Sequence, residues 1–190
     1  MKHTNKKKFV IEGLTSVCAL LSSITVLIIL FFKKWISVNL LQSETVTVFE
    51  LSDIIDSYRR MVESFGFGNP DDIAKSFSDL DFMSTVFVVL SIVIAVMLMI
   101  HILFLIFGKG KWIRSTSILS FILYLGLIIG FSMFAEKVNE SVGEIDLMFV
   151  SLANVLSVEN SIFYVFIPLG IGIVSSFIYT HYKKNDKTAG

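Results

Sequence analysis

Residues 82–107 read FMSTVFVVLSIVIAVMLMIHILFLIF, and this stretch decides the solvent in which the chain folds. It carries one ionisable side chain, His101, and neither Gly nor Pro. As an α-helix it is about 39 Å long at ~1.5 Å per residue, more than the ~30 Å hydrocarbon core of a bilayer. Working outward, three more stretches have the same character: Phe9–Phe32, Ser115–Phe134 and Ser161–Tyr182. Each reaches about 20 residues or more, the length a spanning helix needs. The pattern predicts an all-α membrane protein, a four-transmembrane-helix bundle forming a single integral membrane domain over residues 1–190.

Composition agrees. The 190 residues are 54% hydrophobic, with a mean hydropathy of +0.77, against about 45–50% for soluble domains. The longest polar segment, 33–81, lies near the ~40–50-residue limit below which a domain rarely folds without disulfides or metal. The single cysteine, Cys18, falls inside the first span, so no intramolecular disulfide is possible. No catalytic, cofactor or metal motif is legible, and a non-enzymatic protein without cofactors is expected. Asp71, Asp72, Asp79 and Asp81 are close in sequence, but their spacing fits no calcium loop. Stabilisation of a helix N-terminus accounts for the first two.

Charge is sorted along the chain although the net charge is zero. Lys2, Lys6, Lys7 and Lys8 precede the first span, Lys109, Lys111 and Arg114 fill the loop 108–114, and Lys183, Lys184 and Lys187 follow the last span. The loops 33–81 and 135–160 are acidic on balance. Lys and Arg near span ends mark the cytoplasmic side. Both termini and the loop 108–114 are therefore expected in the cytoplasm of a multi-pass cell-membrane protein, with the two longer loops outside. Lys33 and Lys34 dissent, but four lysines before the span outweigh two after it. The first apolar run is too long for a signal-peptide core of 7–15 residues and lacks a small-residue cleavage site, so an uncleaved anchor is expected.

Ionisable groups inside a membrane are functional candidates. Glu12, near the cytoplasmic end of the first span, and His101, about two turns from the cytoplasmic end of the second, form the candidate intramembrane polar site. The bland alternative has Glu12 reaching the headgroups and His101 bonding a neighbouring helix. Small residues allow helices in lipid to approach closely. Gly126 and Gly130 in the third span, and Gly172 and Ser176 in the fourth, are each four apart and are candidates for helix packing, within the bundle or at a dimer seam. Pro168 is the candidate kink, since proline inside a helix removes a bond and crowds the preceding turn. Phe31, Phe32, Trp35, Phe104, Phe107, Trp112, Phe163, Tyr164, Tyr179 and Tyr182 cluster near span ends, as an interfacial aromatic belt does.

The external segments carry two further patterns. Thr45 to Val48 alternate as a short strand would. Leu51, Ile54, Ile55, Tyr58, Met61, Val62 and Phe65 recur at helical spacing, with acids and arginines between them. An amphipathic helix over about 48–65 follows, and its apolar stripe is the candidate partner face. Asn69-Pro70 with Asp71 and Asp72 predicts a second short helix over about 70–81. Residues 144–156 predict a third, mostly apolar one, and the three would make a small extracytoplasmic helical cap. Asn139-Glu140-Ser141 matches a glycosylation acceptor.

Four spans, cytoplasmic termini, a long first external loop and a shorter second one resemble the claudin and tetraspanin layout in topology. Claudin loops need a Trp-rich segment and two cysteines, and tetraspanins need cysteines in the second loop. This chain has neither pattern, so the resemblance implies the layout and no functional residue. The expected function is that of an interaction, accessory, regulatory or immunity-type subunit acting through its external loops. Its expected partners are the lipid bilayer and a membrane or extracytoplasmic protein, or a second copy, and no nucleic acid. The alternative is a small transporter or channel subunit working as a homo-oligomer.

Overall fold

The computed structural model describes residues 2–39, 43–65, 70–143 and 156–187. In chain order the elements are α1 (Lys2–Phe32), β1 (Ile36–Asn39), β2 (Ser43–Val46), α2 (Leu51–Phe65), α3 (Pro70–Ile106), α4 (Gly110–Gly143), β3 (Leu156–Val158), a 3-10 helix (Asn160–Val165) and α5 (Phe166–Lys187). Four helical segments are long and apolar enough to cross a membrane: Phe9–Phe32, Phe77–Ile106, Gly110–Asn139 and Asn160–Lys183.

Helix α3 absorbs the separate short helix expected over 70–81. No Gly or Pro follows Pro70 until Gly108, so nothing interrupts the backbone ladder. It stops where Gly108 adopts a positive φ of 65°. The Lys109 N–H then donates to the Phe104 carbonyl (2.9 Å) and the Gly108 N–H to the Leu105 carbonyl (3.3 Å). This pair of bonds is a Schellman cap, which favours glycine because its αL residue would otherwise carry a strained Cβ. Helix α4 starts two residues later.

Near Pro168, the candidate kink, the helix type changes. The chain passes from 3-10 to α geometry at Val165–Phe166, and Pro168 lies in the first turn of α5. Proline is tolerated in the first turn of an α-helix.

The chain divides into two compact units. One comprises Met1–Leu30, Val93–Leu125 and Phe163–Gly190. In it Ala19 of α1, Leu105 of α3, Ile113 of α4 and Tyr179 of α5 form one buried cluster. Close approach occurs at Gly172, where an added Cβ would lie 3.3 Å from the Ser22 Cβ. Phe121 and Tyr124 meet Phe166 edge-on, at 5.7 and 6.2 Å between ring centroids. Arg114 of α4 bonds the Thr180 hydroxyl of α5 and lies over the Phe177 ring, 4.9 Å from its centroid.

The other unit comprises Phe31–Ile92 and Gly126–Ile162. It contains a feature absent from the helical reading, an antiparallel three-stranded sheet in the order β2-β1-β3. Ile36 pairs with Val46 on one side and Val158 on the other. The sheet thus joins the first long polar segment to the second. Its core lies around Trp35, which is fully buried and meets Phe131 edge-on at 5.1 Å. Phe87 continues the cluster to Phe131 (5.1 Å) and Phe134 (5.5 Å). The belt role expected of Trp35 is therefore corrected, and Tyr179 is likewise buried rather than interfacial. Both rings are enclosed by neighbouring elements that local composition does not reveal.

Helix α2 begins at Leu51, three residues later than its apolar period suggested. The Thr47 N–H donates to the Glu50 carboxylate (2.8 Å), and the Glu50 N–H to the Thr47 carbonyl (3.2 Å). Thr47 and Glu50 stand at capping-box spacing, and this acceptor satisfies a donor just ahead of the helix.

Candidate functional site

Two places concentrate polar chemistry, one in each unit. The first surrounds His101 of α3, which is buried at 2% exposure despite its imidazole. Its Nδ1 lies 2.8 Å from the Thr116 hydroxyl of α4, and its Nε2 lies 3.4 Å from the Ser176 hydroxyl of α5. Each hydroxyl has a single proton. Thr116 directs its own at the Trp112 carbonyl (2.9 Å) with Ile113 nearby (3.2 Å), and Ser176 directs its own at the Gly172 carbonyl (2.7 Å). Thr116 is thus the acceptor for an Nδ1–H donor. Ser176 can turn its proton from Gly172 to Nε2. The imidazole ties three helices together where unsatisfied polar groups are expensive.

A cavity with room for about one water lies beside the ring. Ser22, Ser23, Ser117 and Ser120 contribute to its wall, with Pro168 and Gly172 of α5. Ser23 and Ser120 donate to carbonyls of their own helices, Ala19 (3.0 Å) and Thr116 (2.9 Å). Their oxygen lone pairs remain for a donor. The pocket therefore suits water or another small hydrogen-bond donor.

Glu12 does not join this cluster. It is half-buried on α1, and among the described residues no hydrogen bond or ion pair connects it to His101. The small residues divide in the same way. Gly172 and Ser176 pack inside the unit, against Ser22 and His101. Gly130 meets Phe87, with an added Cβ 3.6 Å from its ring, whereas Gly126 faces open space.

The second place is a groove between β2 and the start of α2. Lys34, Glu44, Thr45, Val46, Glu50, Asp53 and Ile54 line an open groove of about 570 Å³ there. Three carboxylates face one ammonium. Acceptance of the Thr47 main-chain N–H holds the Glu50 carboxyl below the usual carboxylate range; desolvation opposes this, and the Lys34 charge assists it.

The apolar stripe of α2 is described at three of its seven side chains. Leu51 and Ile55 are buried in the core of their own unit and are closed to a partner; Ile54 is half-buried at the groove. The side chains of Tyr58, Met61, Val62 and Phe65 lie outside the described residues, as does the helix expected over 144–156 except at Leu156, which opens β3 instead. The polar side of α2 carries Arg59 between Asp56 (3.8 Å) and Glu63 (3.7 Å). These exposed pairs are worth at most ~1 kcal/mol.

Asn139, the expected glycosylation acceptor, has its amide fully engaged. Its Nδ2 donates to the Leu156 carbonyl (2.8 Å), and its Oδ1 accepts the Leu156 N–H (2.9 Å). Sequence reading missed this role, as it missed the capping pair; Thr47-x-x-Glu50 was visible as a pattern, whereas the Asn139–Leu156 match was not. Compared with protein-family models, curated proteins and solved structures, the chain matches none.

Proposed function

We propose that this chain is a non-enzymatic interaction, accessory, regulatory or immunity-type subunit of the cell membrane. In this reading both termini and the loop 108–114 face the cytoplasm, and the sheet-bearing polar segments face outward. One observation carries it: strands from two distant polar segments form one sheet, beside an acidic groove that its own apolar side chains do not fill. Evenly spaced basic clusters at the opposite span ends support the orientation, and anionic inner-leaflet lipid suffices as their counterpart. Leu51 and Ile55 of the apolar stripe are buried, and the sheet edge and groove supply the exposed surface of this reading. Mass analysis of the protein extracted from its native membrane in mild detergent tests the proposal. A second polypeptide at fixed stoichiometry is the expected result; a lone homo-oligomer that conducts solute would overturn it.

A second reading, a small transporter or channel subunit acting as a homo-oligomer, is favoured by the water-sized cavity beside His101. Flux in proteoliposomes that falls in His101→Leu and in Ser176→Ala would support it. Absence of flux in the unmodified protein would remove it.

A further inference from the structure

We infer that the outer edge of β2 is a docking strand for an extended, basic segment of a partner protein, which adds as a fourth strand along the groove between β2 and α2. The inference rests on the interaction reading above and names what that surface takes.

The main-chain geometry comes first. The Trp35 N–H donates to the Val46 carbonyl at 3.0 Å, so the peptide groups of Val46 face β1. Alternation along a strand turns the N–H and C=O of Thr45 to the opposite edge. Among the described residues the order β2-β1-β3 makes that edge the margin of the sheet, and Ser43, Glu44 and Thr45 are exposed along it. Edges are usually guarded by lysine, proline or a bulge turned outward. The segment Ser43–Val46 has no lysine or proline.

Size and charge then select the occupant. Strand spacings of ~4.8 Å laterally, ~10 Å between layers and ~3.3 Å per residue give about 160 Å³ per added residue. A groove of about 570 Å³ suits about three to four residues, close to the length of β2. Glu44, Glu50 and Asp53 line it against Lys34 alone. A second copy of this chain, pairing edge to edge, would bring Glu44 and two acidic grooves together, and like charges across a strand pair are destabilising. A segment with Lys or Arg at alternate positions meets the acids while its main chain pairs with Thr45, the usual division between affinity and specificity in strand addition.

The test uses the full chain in mild detergent and three capped, fluorescent octapeptides, alternating Lys–Val, Glu–Val and Lys–Pro. The Lys–Val peptide is expected to bind at least tenfold more tightly than either of the others. Thr45→Pro removes an outward N–H and no bond to β1, and is expected to lower Lys–Val affinity at least tenfold while Trp35 emission stays unchanged. Glu44→Gln with Asp53→Asn is expected to weaken binding several-fold and flatten its salt dependence. Equal binding of Lys–Val and Lys–Pro would overturn the inference, as would full affinity in Thr45→Pro. So would a protected Thr45 amide in the peptide-free monomer, which would mean that the chain covers its own edge, or a dimer abolished by Thr45→Pro, which would assign the edge to a second copy. Failure of every peptide while a second polypeptide still copurifies from the native membrane would sink the docking strand and leave the interaction reading standing; loss of copurification as well would sink both.

Discussion

Asn139 grips Leu156 at both of its main-chain groups, donating to the carbonyl at 2.8 Å and accepting the N–H at 2.9 Å. The carboxamide acts as a length of strand, anchoring β3 to the end of α4. Asn139→Ala is expected to release β3 and cost about 1–3 kcal/mol, the range for leaving buried groups unpaired. Asn139→Asp should do no better, because a carboxylate oxygen then faces the Leu156 carbonyl. Amide exchange at Leu156, which Asn139 accepts, and at Glu159, which bonds the Trp35 carbonyl, measures the effect; unchanged protection in Asn139→Ala would show that β1 alone holds the strand.

Gly172 and Gly126 make opposite predictions. An added Cβ at Gly172 would lie 3.3 Å from Ser22, tighter than most packed neighbours, whereas Gly126 meets nothing within 4 Å. Gly172→Leu is expected to separate α5 from α1 and to destabilise by about 1–3 kcal/mol, the usual cost of overpacking. Gly126→Leu should leave the monomer intact. Should Gly126→Leu abolish a homo-oligomer seen by mass analysis, the open face of α4 is its seam.

The His101 bonds are interhelical, and in lipid such bonds average only about 0.6 kcal/mol with a maximum near ~1.7 kcal/mol. A double-mutant cycle of His101→Leu and Thr116→Val, followed by unfolding in mixed micelles, is expected to give a coupling inside that range. Thr116 keeps its carbonyl acceptors when the imidazole is removed, so the single His101→Leu change should be mild. A coupling of zero would remove His101 as a tie between α3 and α4.

Glu50 supplies the pH dependence. Its carboxyl is held below the ordinary value of 4.5 in the folded chain. A depressed carboxyl stabilises fully above its unfolded value, and the stabilisation is lost as pH falls through the lower folded value. The protection factor of the Thr47 amide should therefore fall only below about pH 4.5 and be flat from neutrality down to it. Glu50→Ala should remove this acid transition and lower the stability of α2 by about 0.5–2 kcal/mol, as lost caps do.

Much of the architecture was legible because its causes are local. A bilayer demands about 20 apolar residues in sequence, so the four spans follow from composition over short windows. The start of α2 was also written in the chain, as Thr47 and Glu50 at capping-box spacing, and its amphipathic period located Leu51 and Ile55. What period alone left open was where that stripe goes, since a core and a partner demand the same residues. The fold places Leu51 and Ile55 inside.

The sheet and the His101 cluster depended on tertiary structure. The alternation at Thr45–Val48 pointed to a strand, displaced by two residues from β2 at Ser43–Val46, but β1 finds β3 more than a hundred residues away, a pairing whose register no local pattern specifies. Trp35 reads as a belt residue beside a span until Phe131 closes over it. His101, Thr116 and Ser176 are unremarkable singly, and become a bonded set only because α3, α4 and α5 pack at one depth. Sequence thus determined which segments leave water, through the transfer free energy of each segment alone. Tertiary structure decided which polar groups meet, because hydrogen bonds depend on positions that only packing fixes.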